Sequence, residues 1–153
     1  MEINFFKPNV THIKQMQEVV KEEVDNGTIL LRTEDEMANT IRSYTVVEVD
    51  GEIAGFTALH IHSARLSEVR SLVVSQKFRG LSLGKRLVES CIKEGKFLGL
   101  NQILSLTYQK EFFEKLGFDE IEKDQIPEHK IWADCIRCKY FPKCDEIAMV
   151  YDL

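Results

Sequence analysis

A turn that contains glycine and basic residues could bind an anion. The apolar run from Val69 to Val74 is β-branched at three positions and predicts a buried strand. The turn from Arg79 to Lys85 follows, and apolar residues then recur at helical spacing. Free N–H groups at a helix N-terminus bind negative charge, and glycine lets the backbone approach an anion closely. The order strand, turn, helix therefore predicts a cradle for a pyrophosphate.

This cradle lacks the patterns of two widespread phosphate loops. The chain has neither the G-x-x-x-x-G-K-[ST] pattern of P-loops nor the G-x-G-x-x-G pattern of dinucleotide-binding folds. The alternative is an ordinary strand–helix connection with two solvated basic residues. The residues assigned to the cradle are Arg79, Gly80, Leu81, Ser82, Leu83, Gly84 and Lys85.

Three of the four cysteines are crowded near the end of the sequence. Cys135 and Cys138 have the C-x-x-C spacing that suits tetrahedral zinc, and Cys144 supplies a third thiol. His129 or Asp134 could complete such a structural zinc site. The alternative is three thiols packed in a loop by neighbouring aromatic residues.

Length and composition predict one ordinary globular domain over residues 1–153, with 44% hydrophobic and 29% charged residues. The net charge of -5 argues against a general nucleic-acid binder, because phosphate contacts dominate that affinity. No signal peptide or long apolar run is present, so neither export nor a membrane partner is expected. The crowded thiols then favour a reducing, cytoplasmic location.

The elements that position these residues follow from hydrophobic periodicity and turn signals. Their order, β-α-α-β-β-β-α-β-α-β-β, predicts an α/β fold, a mixed sheet with helices on both faces. The turn Asp50-Gly51 predicts a tight hairpin. An apolar stripe from Val10 to Val24 predicts the first helix. The other predicted helices run from Glu34 to about Arg42, from Leu83 onward, and from Glu111 to Leu116. The predicted strands are Glu2 to Phe6, Tyr44 to Val49, Ile53 to His60, Val69 to Val74, Asn101 to Thr107, Phe118 to Ile121 and Glu146 to Tyr151.

The cradle resembles the acetyl-CoA loop of the GNAT superfamily of N-acetyltransferases. The segment from Arg79 to Gly84 follows the family pattern [QR]-x-x-G-x-[GA] except at its first glycine, where this chain has Ser82. The segment from Phe112 to Phe118 is similar to the family's "fYeklGF" segment. The resemblance implies a GNAT fold with acetyl-CoA as cosubstrate. It also implies that the central strand splays from the strand ending at Thr107, and that the pantetheine arm bonds the exposed backbone at Leu72, Val73 and Val74.

Four segments resemble the acetyltransferase domain of the N-acetylglutamate synthases, in particular the short, stand-alone bacterial forms. This resemblance implies acetyl transfer to the α-amine of L-glutamate, in arginine biosynthesis. The alternatives are another small amine such as glutamine, a protein N-terminus, or a non-catalytic acyl-CoA sensor. The oligomeric state is open, a homodimer included. The four segments are Ile29 to Arg32, Ser67 to Val74, Leu104 to Thr107 and Ile126 to Lys130.

In such a fold Glu68, at the start of the central strand, is the expected general base, directly or through water. The alternative is a structural carboxylate paired with Arg70 or His60. The family often has a tyrosine that reprotonates the CoA thiolate where this chain has Phe113, which cannot do so. Either Tyr108 or a water then supplies the proton, or no protein acid is needed. Backbone N–H groups around Leu72 and Val73 could bind the thioester oxygen.

A dicarboxylate substrate requires fixed positive charge at two places, and guanidinium is the best bidentate partner. Arg32 lies in the loop between the first two predicted helices, and Arg70 lies two residues from Glu68 on the same strand. Lys130, in the late loop, is a third candidate, and the Thr107 hydroxyl could donate to a carboxylate. Each of these charged residues has a solvated surface position as its alternative.

Overall fold

The computed structural model describes residues 1–27, 32–122, 125–126 and 146–153. Their elements follow the predicted order. The strands are β1 (Ile3–Phe6), β2 (Tyr44–Val49), β3 (Glu52–Ile61), β4 (Leu66–Val74), β5 (Gln102–Thr107), β6 (Asp119–Ile121) and β7 (Ile147–Asp152). The α-helices are α1 (Ile13–Asp25), α2 (Glu34–Asn39), α3 (Leu83–Leu98) and α4 (Lys110–Lys115). Short 3-10 turns cover Val10–His12, Ile41–Ser43 and Gln76–Phe78.

The strands form one mixed seven-stranded sheet in the order β1-β2-β3-β4-β5-β7-β6. β4 and β5 are parallel, and β5 pairs antiparallel with β7. Asp50 and Gly51, with φ angles of 50° and 83°, both lie in the left-handed region and join β2 to β3. This is the backbone that a two-residue hairpin turn requires, so the prediction from the Asp-Gly pair is confirmed.

The chain forms two compact units, and β4 contributes to both. The first unit contains Met1–His60 and Val69–Cys91. Its helices cover both faces of the hairpin of β2 and β3, since α1 and α2 pack on one face and α3 on the other. The first face buries Ile13, Met16, Met37, Val46 and Phe56, and the second buries Val47, Ala54, Leu83 and Leu87.

The second unit contains Ile61–Glu68 and Ile92–Leu153. One core cluster forms around Leu66 in β4, Leu104 in β5 and Ala148 in β7, and Ile126 is buried against them. The parallel ladder of this unit matches Leu66 with Gln102 and ends with Glu68 opposite Leu104. The central strand thus begins at Leu66, before the predicted start at Val69.

Two predicted helix boundaries were wrong, and both errors have local causes. α2 ends at Asn39 and not near Arg42, because the Thr40 hydroxyl donates back to the Glu36 carbonyl at 2.8 Å and competes with the helical pattern. Val10 does not join the buried stripe of α1 and is 57% exposed. It lies in a 3-10 turn, whose three-residue period moves it off the stripe.

The helices of the described residues are too short or too polar to span a bilayer. One face of α3 forms a buried stripe, with Leu83, Leu87, Val88 and Cys91 all at most 2% exposed, whereas Phe97 near its end is 87% exposed. Cys91 is buried in this core.

Candidate active site

The second half of β4 has an irregular backbone at its centre. Ser71 has a φ of 54°, a left-handed conformation that non-glycine residues seldom adopt inside a strand. Further along, a Cβ built on Gly55 of β3 would lie 2.5 Å from the Val73 carbonyl oxygen, so that carbonyl faces β3. Backbone groups alternate between the two edges of a strand, so those of Leu72 and Val74 face the edge away from β3.

The turn between β4 and α3 is built from two left-handed residues. Gly80 has a φ of 92° and Ser82 a φ of 58°, and the Ser82 carbonyl accepts from the Arg86 N–H at 3.1 Å as α3 begins. The Arg79 and Lys85 side chains are exposed. Leu81 and Leu83 pack on the core beneath the turn. The turn therefore presents two cations to solvent at the start of a sixteen-residue helix, as an anion cradle requires.

The first unit contains a cavity of about 150 Å³ beside Ser71. This is below the roughly 300–1,000 Å³ of pockets for drug-sized ligands, so a small metabolite fits it better. Its wall combines apolar residues with a few polar groups, two of them cationic. The lining residues are Gln17, Val20, Lys21, Val24, Asp25, Arg32, Met37, Tyr44, Phe56 and Ser71.

Arg32 is held at this cavity by the helices on either side of it. The Gln17 amide nitrogen in α1 donates to the Arg32 carbonyl at 3.3 Å. Thr33, the next residue, is the N-cap of α2, and its hydroxyl and backbone N–H exchange hydrogen bonds with Glu36 in a capping box. The backbone of Arg32 is therefore fixed on both sides.

Tyr44 connects the cavity electrostatically to both predicted substrate arginines. Its side chain is 3% exposed, and burial raises the pKa of the phenol above its ordinary value of 10.0. The charges of Arg32 and Arg70, with a hydrogen bond to Thr40, oppose this rise in pKa. The neutral hydroxyl can donate to a carboxylate. The structure thus brings the charges of Arg32 and Arg70 to bear on one buried phenol.

Glu68 lies in the second unit as a buried carboxylate. It is 4% exposed, and its Oε1 lies 2.9 Å from Nε2 of His62. The prediction named Arg70 or His60 as structural partners of Glu68 and did not consider His62. His62 directly follows β3.

Three residues considered in the sequence analysis lie at or after the end of β5. Thr107 is 7% exposed, and its hydroxyl oxygen accepts from the Gln109 N–H at 2.8 Å. Tyr108 is 45% exposed. Phe113 packs edge-on against Phe112 and Phe118 and belongs to the hydrophobic interior. The proton-donor role of Tyr108 stays a prediction.

Several predicted residues lie outside the described residues. These are the substrate candidate Lys130 and the zinc candidates Cys135, Cys138 and Cys144, with His129 and Asp134. Within the ranges that the structure describes, no group of three or more histidine, cysteine or acidic side chains could hold a metal ion.

Five residues at or near the predicted site have no functional role in the sequence analysis. Tyr44 falls within a predicted strand and Gln17 and Lys21 fall within a predicted helix, and all three line the cavity. Ser71 was part of an apolar strand run. A partial signal existed for His62, since it lies six residues before Glu68 across a predicted strand end. The others depend on packing between distant elements.

Comparison with known proteins identifies the family. The model of the acetyltransferase (GNAT) family matches residues 10–118. An uncharacterized N-acetyltransferase of Chlorobaculum tepidum, CT2212, is 37% identical over 127 residues, which are 83% of this chain and 81% of that protein. The amino-acid acetyltransferase of Pasteurella multocida is 26% identical over 123 residues, 79% of this chain. This chain spans only 28% of that enzyme's length.

A solved structure shares the fold of the whole chain. The N-acetylglutamate synthase of Neisseria gonorrhoeae, complexed with coenzyme A and N-acetyl-glutamate, superposes with a TM-score of 0.86 at 22% identity. The match covers 100% of this chain and 35% of that one. With the mixed seven-stranded sheet and the family match over residues 10–118, these findings assign the chain. It belongs to the GNAT family and is an acetyl-CoA-dependent N-acetyltransferase related to the amino-acid acetyltransferases.

Proposed function

We propose that this enzyme transfers the acetyl group of acetyl-CoA to the α-amine of L-glutamate. The observation that carries the proposal is the cavity of the first unit, which is small and lined by Arg32. A guanidinium binds a carboxylate in bidentate fashion, and the Tyr44 hydroxyl can add a third hydrogen bond. Arg70, whose charge also acts on Tyr44, supplies the second cation that a dicarboxylate requires.

In the proposed reaction Glu68 accepts a proton from the substrate ammonium, directly or through a water. The neutral amine then attacks the thioester carbonyl carbon, so a C–N bond forms and the C–S bond breaks. The amine nitrogen loses its second proton, and the CoA thiolate gains one, from that nitrogen, a water or Tyr108. Each turnover therefore yields one acetylated amine, one CoA thiol and one net proton.

The proposed cofactor site is the edge of β4 away from β3, together with the turn that follows. The backbone groups of Leu72 and Val74 face that edge, and the pantetheine amides would pair with them as an added strand. The pyrophosphate would bind the N–H groups of the Arg79–Lys85 turn, whose two left-handed residues and exposed cations support the assignment.

The proposed product is N-acetylglutamate, which places the enzyme in arginine biosynthesis. The amino-acid acetyltransferases of Pasteurella multocida and Neisseria meningitidis support this place, and the chain spans 28% and 27% of their lengths. A cytoplasmic location belongs to the same proposal. The three thiols crowded near the end of the sequence support a reducing compartment.

A panel of amines tests the proposal directly. CoA thiol release would be followed with glutamate, aspartate, glutamine, leucine, a polyamine and a peptide with a free N-terminus. We expect the highest kcat/KM for glutamate, because glutamine, leucine and a polyamine lack the second carboxylate that the two arginines would bind, and aspartate is shorter by one methylene. A higher kcat/KM with glutamine or the peptide would show that glutamate is not the preferred substrate. No turnover with any amine would favour a non-catalytic acyl-CoA sensor.

A further inference from the structure

His62 and Glu68 form a buried, hydrogen-bonded pair in the second unit. The Nε2 atom of His62 lies 2.9 Å from Oε1 of Glu68, and the two side chains are only 3% and 6% exposed. A buried carboxylate is costly unless it is hydrogen-bonded, so this contact is expected to influence strongly how Glu68 is held. His62 belongs to neither the cofactor loop nor the substrate cavity described above.

The backbone around His62 is fixed by the tight turn between β3 and β4. The N–H groups of His62 and Ser63 both donate to the Leu66 carbonyl, at 2.9 and 3.1 Å. The Ser63 hydroxyl oxygen accepts from the N–H groups of Arg65 and Leu66. Glu68 lies two residues beyond Leu66, so the side chains of His62 and Glu68 are diagonal neighbours on one face of the hairpin. Side chains of this length can reach each other from such positions.

Glu68 is held equally firmly from the side of β5. Its position in the parallel ladder is opposite Leu104, and the preceding Ser67 hydroxyl donates to the Gln102 carbonyl at 3.0 Å. Both partners of the pair therefore project from restrained backbone. Such a pair costs little further conformational entropy to align, which is the property of a preorganised catalytic group.

We propose that His62 is the positioning residue of the general base, an inference that rests on the proposed role of Glu68. A carboxylate only accepts hydrogen bonds, so with Glu68 ionised the Nε2 atom of His62 carries the hydrogen. When Oε2 of Glu68 receives the proton of the substrate amine, Oε1 still accepts from Nε2. The hydrogen bond is thus kept through the cycle and fixes the oxygen that receives the proton.

The test is a set of variants measured by steady-state kinetics. His62→Phe keeps most of the ring volume and cannot donate, whereas the amide of His62→Gln can donate to Oε1. We expect His62→Phe to lower kcat by about tenfold to a hundredfold, the range of a lost charge-assisted hydrogen bond. His62→Gln should recover most of this loss. The KM values for acetyl-CoA and glutamate should change by less than about threefold in both variants, because neither substrate is bound by His62.

A double-mutant cycle separates positioning from a structural role. If His62 acts only through Glu68, His62→Phe should lower kcat no further in a Glu68→Gln background. Wild-type kcat in His62→Phe, equal losses in His62→Phe and His62→Gln, or additive losses in the cycle would each overturn the inference. Wild-type turnover in Glu68→Gln alone would instead overturn the proposed base, and the inference with it. Circular dichroism of each variant would confirm that the fold is retained.

Discussion

Arg32 is the residue on which the proposed substrate preference depends. Removing a guanidinium from a bidentate carboxylate site typically costs a few kcal/mol, roughly a hundredfold in kcat/KM. Arg32→Ala should therefore raise KM for glutamate by about that factor and leave acetyl-CoA binding intact. Arg42→Ala removes the same charge from an exposed turn that does not line the cavity, and should behave as the wild type. Equal glutamate kinetics for the two variants would remove Arg32 from the site.

Glu68 is the residue on which the proposed chemistry depends. Glu68→Gln keeps the size of the side chain and removes its basicity. We expect kcat to fall by about one to three orders of magnitude, within the usual range for a lost general base. Acetyl-CoA affinity should hold, because the loop assigned to the cofactor follows the other end of β4. Raising the pH should partly restore turnover, since more of the α-amine is then unprotonated. If Glu68→Gln turns over glutamate at the wild-type rate at every pH tested, Glu68 has only a structural role.

At the scale of elements, the close approach of β3 to β4 depends on Gly55. A Cβ at this position would lie 2.5 Å from the Val73 carbonyl oxygen and 3.1 Å from the Val74 Cα, both backbone atoms that cannot move independently. Gly55→Ala should therefore separate the strands, lower the melting temperature by several degrees and weaken acetyl-CoA binding at β4.

Gly95→Ala is the matched control for this prediction. Its Cβ would meet the Cδ1 atom of Leu153 at 2.9 Å, the far end of a flexible side chain, inside helix α3. Because glycine weakens a helix by roughly 0.5–1 kcal/mol relative to alanine, Gly95→Ala should be close to neutral in stability. Comparable destabilisation in both variants would show that the space at Gly55 is not the decisive factor.

The turn between β4 and α3 is the element that tests cofactor binding. Gly84→Asp adds bulk and a negative charge in the first turn of α3, where the pyrophosphate is proposed to lie. Calorimetry should show at least about tenfold weaker acetyl-CoA binding. Gly84→Ala keeps the [GA] position of the loop pattern and should retain affinity. Unchanged affinity in a folded Gly84→Asp variant would contradict the cradle assignment.

At the scale of the whole molecule, the predicted zinc site would stabilise the fold near its C-terminal end. Cys135, Cys138 and Cys144 are the expected thiolate ligands. If zinc is structural, the purified protein should contain about one equivalent by atomic absorption, and chelation should lower its melting temperature. Metal-free protein with full activity and an unchanged melting temperature would leave only the interpretation as packed thiols.

The net charge of -5 is compatible with two anionic ligands because the cations are placed locally. Arg79 and Lys85 are exposed at the turn before α3, while Arg32 and Lys21 line the cavity of the first unit. Electrostatic attraction at close range depends on such local charges more than on the sum, since salt screens exposed charges beyond about 8–10 Å. The negative net charge, which argues against a general nucleic-acid binder, is therefore compatible with acidic substrates.

The sequence by itself determined the elements and their order. Period-two and period-3.6 apolar patterns report burial on one face, so β2, β3 and the stripe of α3 were located to within a few residues. Asp50-Gly51 predicted its turn because few residue pairs tolerate two consecutive left-handed conformations. The loop from Arg79 to Gly84, together with the order of the elements and the segment from Phe112 to Phe118, indicated the family, because the loop pattern and the element order are both local properties of the chain.

Tertiary structure decided what lies between distant segments. Arg32 and Tyr44 meet at one cavity only because α1 and α2 pack over β2. The left-handed backbone at Ser71 was hidden in an apolar run, since its strain is maintained by surrounding strands and not by its own residue type. The contact of His62 with Glu68 depends on the turn before Leu66, whose hydrogen bonds fix which residue of β4 lies diagonally opposite His62. Periodicity records whether a side chain is buried, whereas its partner is set by strand register and helix packing.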